Sequence, residues 1–268
     1  MSKIPEREGR QVFGANVQGY DESRPEYPEW IFELLMQEGV IFPSASTLEI
    51  GPGNGLATRV LVKKGVSRLT MLEPDRRFAP FLEDLRTEAG AECEVLFEPL
   101  EAAELPEASF DLALVATTFH WLDPETRVKT LAKLIKRGGC VVLIWNVFQD
   151  LNLHDAFHEA TKDILAGLSN SPSGAPDSLP FALDKQAREA EFLQAGNFET
   201  RLYAESHWKI MLDPKGVRSL YEGFSQIARL EDSEREALLD QLEAIAKSDF
   251  GGSVVRNMTS PLYVFQRT

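Results

Sequence analysis

Two hydrophobic rhythms alternate between Pro25 and Gly138. Apolar positions at helical spacing, with a proline near the start and a glycine at the end, predict a helix over Pro28–Gly39. The same reading predicts helices over Leu56–Lys64, stopped by Gly65, over Arg76–Ala89, stopped by Gly90, and over Pro124–Lys136, ended by Gly138 and Gly139. Between them lie short apolar runs at Thr47–Ile50, Arg68–Leu72, Cys93–Phe97, Phe110–Ala116 and Cys140–Trp145. Runs that are apolar on nearly every residue predict strands buried on both faces, as in a parallel sheet covered by helices. Strand–helix alternation predicts βαβ units and an α/β, doubly wound, mostly parallel sheet with helices on both faces. Such a sheet takes its ligand beyond the carboxyl ends of the strands, where strand order reverses.

The pattern changes after Asn146. Helices are predicted over Leu153–Leu168, Lys185–Ala195, Pro214–Phe224 and Asp232–Lys247, with strands at Phe198–Trp208 and Pro261–Gln266. Ser169–Pro180, rich in Ser, Pro and Gly, reads as a loop. The strand segments then number seven. The chain divides into residues 1–40 (a leading lid and first helix), 41–146 (the ligand-binding core), 147–250 (a mostly helical cap that forms a substrate region) and 251–268 (a last strand returning to the core sheet).

Composition narrows the function. Of 268 residues, 43% are hydrophobic and 26% charged, an ordinary globular balance. A net charge of -14 repels phosphate backbones, so no nucleic-acid partner is expected. The basic cluster Lys133, Lys136 and Arg137 falls at a predicted helix C-terminus, where cations are favoured anyway. The polar start MSKIPEREGR has no apolar secretion stretch, and no run reaches the ~20 apolar residues of a membrane span. A cytoplasmic protein with no membrane partner is expected, as monomer or homodimer. Cys93 and Cys140, inside or beside apolar runs, read as two buried thiols. His154 and His158 lie four apart, but Asp155 stands where the zinc motif needs Glu, so no metal is expected.

The sharpest motif is Leu48-Glu49-Ile50-Gly51-Pro52-Gly53-Asn54-Gly55, at the junction of a predicted strand and helix. Glycines there permit a tight turn and close approach of a ligand to the main chain, and the helix N-terminus offers unpaired N–H groups. The nicotinamide fingerprint needs its third glycine at Leu56, which argues against an NAD-type oxidoreductase. Glu73 ends the next strand, where a carboxylate can accept two hydrogen bonds from a ribose diol.

With Gly51-x-Gly53-x-Gly55 behind an acid, and with Phe110–Asp123 ending in Phe119-His120-Trp121-Leu122-Asp123, the chain resembles class I S-adenosylmethionine-dependent methyltransferases. The Arg137–Trp145 turn and strand, the segment Tyr20–Pro28, the Ser206-His207-Trp208 stretch and the Leu262–Phe265 tail resemble a small-molecule, trans-aconitate methyltransferase-like branch. The resemblance implies a Rossmann-like fold and S-adenosylmethionine as cofactor, with S-adenosylhomocysteine as product. It implies that Gly51, Gly53 and Gly55 line the methionine part with Glu49 near its amino group, that Glu73 holds the ribose and that Pro74 flanks the adenine. It further implies that Ala116 meets the amino-acid end by its backbone, while Tyr20 and Arg24 close over the site. Pro99 stands where the family often has an adenine-binding Asp, which passes that role to the Leu100 N–H, Glu98 or Glu101.

Methyl transfer from a sulfonium is an in-line displacement, so the protein chiefly positions two partners and excludes water. His120, just past the fourth strand, is the candidate general base for a hydroxyl or amine acceptor; a carboxylate needs none. Phe119, Trp121 and Trp145 are candidate walls for a small-molecule acceptor. A non-catalytic relative that binds the cofactor or its product is the alternative.

Overall fold

The computed structural model describes residues 24–90, 92–166, 168 and 179–268. The first elements are helix α1 (Glu29–Gln37), strand β1 (Ser46–Ile50), helix α2 (Leu56–Lys63) and strand β2 (Arg68–Leu72). A 3-10 turn at Arg76–Phe78 leads into α3 (Ala79–Ala89), followed by β3 (Cys93–Leu96) and β4 (Phe110–Ala116). A second 3-10 turn, Phe119–Trp121, precedes α4 (Arg127–Leu134) and β5 (Ile135–Ile144). Then come α5 (Ala156–Leu165), a 3-10 turn at Phe181–Leu183, α6 (Lys185–Gln194), β6 (Phe198–Leu212), α7 (Pro214–Glu222), α8 (Ser225–Ala228), α9 (Asp232–Ser248) and β7 (Val254–Arg267).

The seven strands form one sheet in the order β3-β2-β1-β4-β5-β7-β6. The β1–β2, β2–β3, β1–β4 and β4–β5 pairs are parallel, and β7 runs antiparallel to β5 with Cys140 opposite Gln266 and Ile144 opposite Leu262. This is the Rossmann-like sheet expected from the sequence. Continuous burial along β1, β2 and β4 explains their unbroken apolar runs: Leu48, Met71, Leu112, Ala113, Leu114 and Val115 are all fully buried. Strand β6 instead alternates half-buried and exposed positions along its outer length, as expected of an edge strand with one wet face. Strand order reverses at β1, which has β2 on one side and β4 on the other. The loops after β1 and β4 therefore meet at the switch point.

Two compact units share the chain. Of the described residues, one comprises 26–90, 92–145, 182–205 and 261–268, and holds strands β1 to β5 and both switch-point loops. The other comprises, again of the described residues, 24–25, 146–166, 168, 179–181 and 206–260. Its own core is built from Phe157, Val217, Leu220, Tyr221, Ile227, Leu239, Leu242, Ala246 and Val254. Inside it, buried Arg256 donates from Nε to Asp155 (2.8 Å), from Nη1 to the Tyr221 hydroxyl (2.7 Å) and from Nη2 to the Phe148 carbonyl (2.9 Å). Asp155 also caps α5 by accepting from the His158 N–H at 2.9 Å.

Three expectations need correction. Helix α4 spans Arg127–Leu134 and not 124–136, because β5 begins at Ile135 and carries Gly138 and Gly139 within it. Gly138 adopts a φ of +79°, and β5 pairs with β4 through a register shift between Phe110 and Leu112; the glycines mark an irregularity in the strand, not a helix stop. Lys136 therefore sits on a strand, where it pairs with Asp111 at 2.8 Å. The last strand starts at Val254, seven residues before the predicted Pro261, because Arg256, Asn257, Thr259 and Ser260 are polar yet buried and hide it from a hydropathy reading. Both cysteines are free and buried. Among the described residues, no helix is long and apolar enough to cross a membrane, and no three His, Cys, Asp or Glu side chains could jointly hold a metal ion.

Candidate active site

The three glycines of the loop after β1 do different work. Gly51, Gly53 and Gly55 all have positive φ (+67°, +58° and +82°), where L side chains are strained. A Cβ on Gly51 would lie 2.5 Å from Thr118 Cγ2, and one on Gly55 would lie 2.2 Å from Leu85 Cδ1. Those two glycines are required by packing: one lets the β1 and β4 loops touch, the other lets α2 approach α3. A Cβ on Gly53 meets no atom within 4 Å. The middle glycine is the one that opens a cradle over its own backbone.

Two carboxylates support this cradle from below. Glu49, on β1, is fully buried; its Oε2 accepts from Thr58 Oγ1 at 2.7 Å, and its Oε1 has no partner among the described residues. Burial pushes its pKa up to about 7; the Thr58 hydrogen bond opposes the shift, and the Glu73 charge adds to it. Glu73, just past β2, is only 5% exposed and accepts from the Gly53 N–H (2.9 Å) and the Asp75 N–H (3.0 Å). Burial pushes it up to about 7 as well, against those two hydrogen bonds. Two buried acids with such pKa values, beside one open backbone turn, suit a ligand that brings positive charge and hydroxyl donors.

The β4 end completes the floor. Thr118 Oγ1 bonds the Gly51 carbonyl (3.2 Å) and the Ala116 carbonyl (3.0 Å), so the backbone of Ala116 is held against the glycine loop. Between them Thr117 has a φ of +53°, a costly conformation for a β-branched residue, and its hydroxyl hydrogen-bonds the Tyr27 hydroxyl at 2.7 Å. His120 follows in the 3-10 turn, and its Nδ1 accepts from Trp145 Nε1 at 3.3 Å.

Residues 48–143, from within β1 to within β5, match the family model of a methyltransferase domain. An uncharacterized methyltransferase-like protein of Schizosaccharomyces pombe is 25% identical over 239 residues, 89% of this chain and 87% of its own. Residues 48–143 thus form a methyltransferase domain, and the chain is similar to methyltransferases of the S-adenosylmethionine-dependent kind. An uncharacterized methyltransferase of Mycobacterium bovis is 30% identical over 136 residues; that match spans about half of each protein, 50% of this chain and 51% of the other. Among solved structures, phosphoethanolamine N-methyltransferase 2 of Haemonchus contortus, in complex with phosphomonomethylethanolamine and S-adenosylhomocysteine, shares the fold. Its TM-score is 0.55 at 13% identity, over 94% of this chain and 57% of that one.

The remaining residues singled out in the sequence fall in several places in this methyltransferase. Pro74 leads into Asp75, which is buried and held in a bidentate pair by Arg77 (2.8 Å and 3.1 Å from Nε). Pro99 turns the chain, its carbonyl accepting from Ala102 and Ala103, and Leu100 is buried behind it. Glu101 points elsewhere, its Oε1 accepting from the Asp123 N–H at 3.3 Å, while Arg76 covers the Phe97 ring at 5.2 Å. Arg24 belongs to the second unit, where it donates to the Gly223 carbonyl (2.7 Å) and stacks over Phe148 and Phe224. Tyr20 and most of the Ser169–Pro180 loop lie outside the described residues.

Sequence reasoning passed over Thr58, Asp75, Thr117, Thr118 and Tyr27. Thr117, Thr118 and Tyr27 act through contacts with residues far along the chain or through backbone conformation, whereas Thr58 and Asp75 act through nearer partners, Glu49 and Arg77. The Thr117-Thr118 pair right after an apolar strand was the one local hint, since small hydroxyl residues at strand ends can bond neighbouring carbonyls.

Proposed function

We propose that this methyltransferase moves the methyl group of S-adenosylmethionine onto a small-molecule acceptor at the end of β4. The observation that carries the cofactor side is the buried, unpartnered Oε1 of Glu49 beside the open Gly53 turn. A buried acceptor with no donor costs about 1–3 kcal/mol. The cofactor's ammonium group supplies that donor, and its ribose diol suits Glu73, each of whose oxygens carries one backbone bond and has a lone pair to spare. Gly51 and Gly55 hold the turn and Gly53 lines the methionine part. The Ala116 backbone meets the amino-acid end, Pro74 flanks the adenine, and the Leu100 N–H serves it where Pro99 replaces the usual acid. Tyr20 and Arg24 are assigned to the lid.

S-adenosylmethionine supplies a methyl group already activated as a sulfonium, so catalysis reduces to orientation and exclusion of water. The chain's own contribution is a rigid floor: Thr118 ties the β1 and β4 loops together, and Tyr27 clamps the strained Thr117. His120, at the same strand end, is the residue assigned to meet the acceptor.

Support for a small acceptor comes from the net charge of -14, which opposes nucleic acid, and from the Haemonchus contortus enzyme, a fold relative with a small phosphorylated amine bound. The test is a screen with isotope-labelled S-adenosylmethionine against small carboxylates, amines and hydroxyl compounds, with ribosomal RNA and bulk protein as comparison substrates. Label in a small molecule is the expected result. Label only in RNA or protein would overturn the assignment.

A further inference from the structure

We infer that Trp145 fixes His120 with its proton on Nε2, which makes His120 a hydrogen-bond donor toward the methyl acceptor and not its general base. The indole N–H is a donor only, with no acceptor capacity. Its Nε1 lies 3.3 Å from His120 Nδ1, so Nδ1 must present a lone pair. A neutral imidazole with an accepting Nδ1 carries its proton on Nε2. The opposite tautomer would set two N–H groups against each other. To act as base at Nε2, the ring would first have to lose this arrangement.

Neither partner is placed to give way. Trp145 is 3% exposed and directly follows β5, and its backbone N–H donates to the Pro261 carbonyl. Its ring stands edge-on to Tyr263 at 6.1 Å, and the Tyr263 hydroxyl donates to the Ala182 carbonyl at 2.8 Å. His120 sits in a turn closed by Trp121 N–H to Thr118 O and Leu122 N–H to Phe119 O. Beneath it Arg127 donates to the Phe119 carbonyl at 2.9 Å, lies 4.2 Å from the Phe119 ring centroid, and is gripped by both carboxylate oxygens of Glu191. The turn is therefore anchored by Arg127 as well as by its own backbone bonds. Trp145 is a positioning residue: it acts on the acceptor only through the tautomer of His120.

The consequence is chemical. In the displacement, the acceptor's lone pair forms the new bond to the methyl carbon while the carbon–sulfur pair returns to sulfur. A donor at His120 orients an atom that already carries a free lone pair. An acceptor that must shed a proton sheds it by a route other than His120. This refinement rests on the placement of His120 beside the acceptor, proposed above; the tautomer itself does not.

The test is nitrogen-detected NMR on protein labelled with 15N at its four histidines, with and without saturating S-adenosylhomocysteine. The His120→Gln variant identifies the His120 signals by their disappearance. In the wild type, which needs no variant to fold, Nε2 should appear protonated and Nδ1 should show the shift of an unprotonated ring nitrogen. In Trp145→Phe the bias should be lost and both tautomers should appear. A proton found on Nδ1 in the wild type, or a His120 spectrum unchanged by Trp145→Phe, would overturn the inference. Calorimetric binding of S-adenosylhomocysteine in the same samples tests the cofactor site separately, so the two failures cannot be confused.

Discussion

At the scale of single residues, the glycine loop separates packing from ligand contact. Gly51→Ala and Gly55→Ala each combine a strained φ, worth about 1–2 kcal/mol, with a clash against Thr118 or Leu85. Both should lower the urea midpoint. Gly53→Arg carries the strain without the clash, so it should fold with a loss of about 1–2 kcal/mol while losing the cofactor. The two buried glutamates give a pH prediction. Their folded pKa values of about 7 lie above the ordinary glutamate value of 4.5. A raised pKa means stabilisation that is complete below the unfolded value and lost as pH rises through the folded value. The unliganded protein should therefore lose stability between 4.5 and about 7 from these two groups. The ammonium and ribose hydroxyl groups of S-adenosylhomocysteine favour the charged forms of these two acids, so it should bind more tightly as pH rises through about 7, releasing protons on binding. Calorimetry at about pH 6 in two buffers of different ionisation enthalpy measures that release; identical enthalpies in both would refute it. The loop, Glu49 and Glu73 were legible in the sequence because strand, turn and helix are contiguous there. Thr58, Thr117 and Trp145 were not legible in their roles, because their partners Glu49, Tyr27 and His120 are 9, 90 and 25 residues away.

At the scale of elements, strand runs buried on both faces were the best guide. Arg68–Leu72 and Phe110–Ala116 have the bounds the hydropathy pattern predicts. The pattern failed where burial is not apolar. Strand β7 enters through a polar stretch because Arg256 is buried against Asp155 and Tyr221 in the second unit's core. Burial alone would raise the Asp155 pKa, but the charge and hydrogen bonds of Arg256 outweigh it and hold the carboxylate below its usual range. Removing one partner of such a pair strands a buried charge. Asp155→Ala also removes the cap of α5, and should cost about 3–5 kcal/mol or more in urea unfolding. A cost under about 1 kcal/mol would show that the pair is solvated and its burial unimportant.

At the scale of the whole molecule, the sheet order β3-β2-β1-β4-β5-β7-β6 explains why one short stretch of sequence revealed so much. The reversal at β1 brings the loops after β1 and β4 to one place, and both loops are sequence motifs. The second unit was less readable. Its helices follow ordinary amphipathic patterns, and its core of Phe157, Tyr221, Leu239 and Leu242 carries packing and no chemical signature. The acidic total charge acts at this scale too, opposing the approach of a polyanion.

The central claim is that the Gly53 turn, with Glu49 and Glu73 beneath it, is the cofactor site. Calorimetric titration of wild type and Gly53→Arg with S-adenosylhomocysteine, using a nicotinamide dinucleotide as comparison ligand, tests it most directly. Saturable one-to-one binding of S-adenosylhomocysteine to the wild type alone is expected, with both proteins folded by circular dichroism. Equal binding to the folded Gly53→Arg variant, or wild-type binding of the nicotinamide dinucleotide in place of S-adenosylhomocysteine, would contradict it.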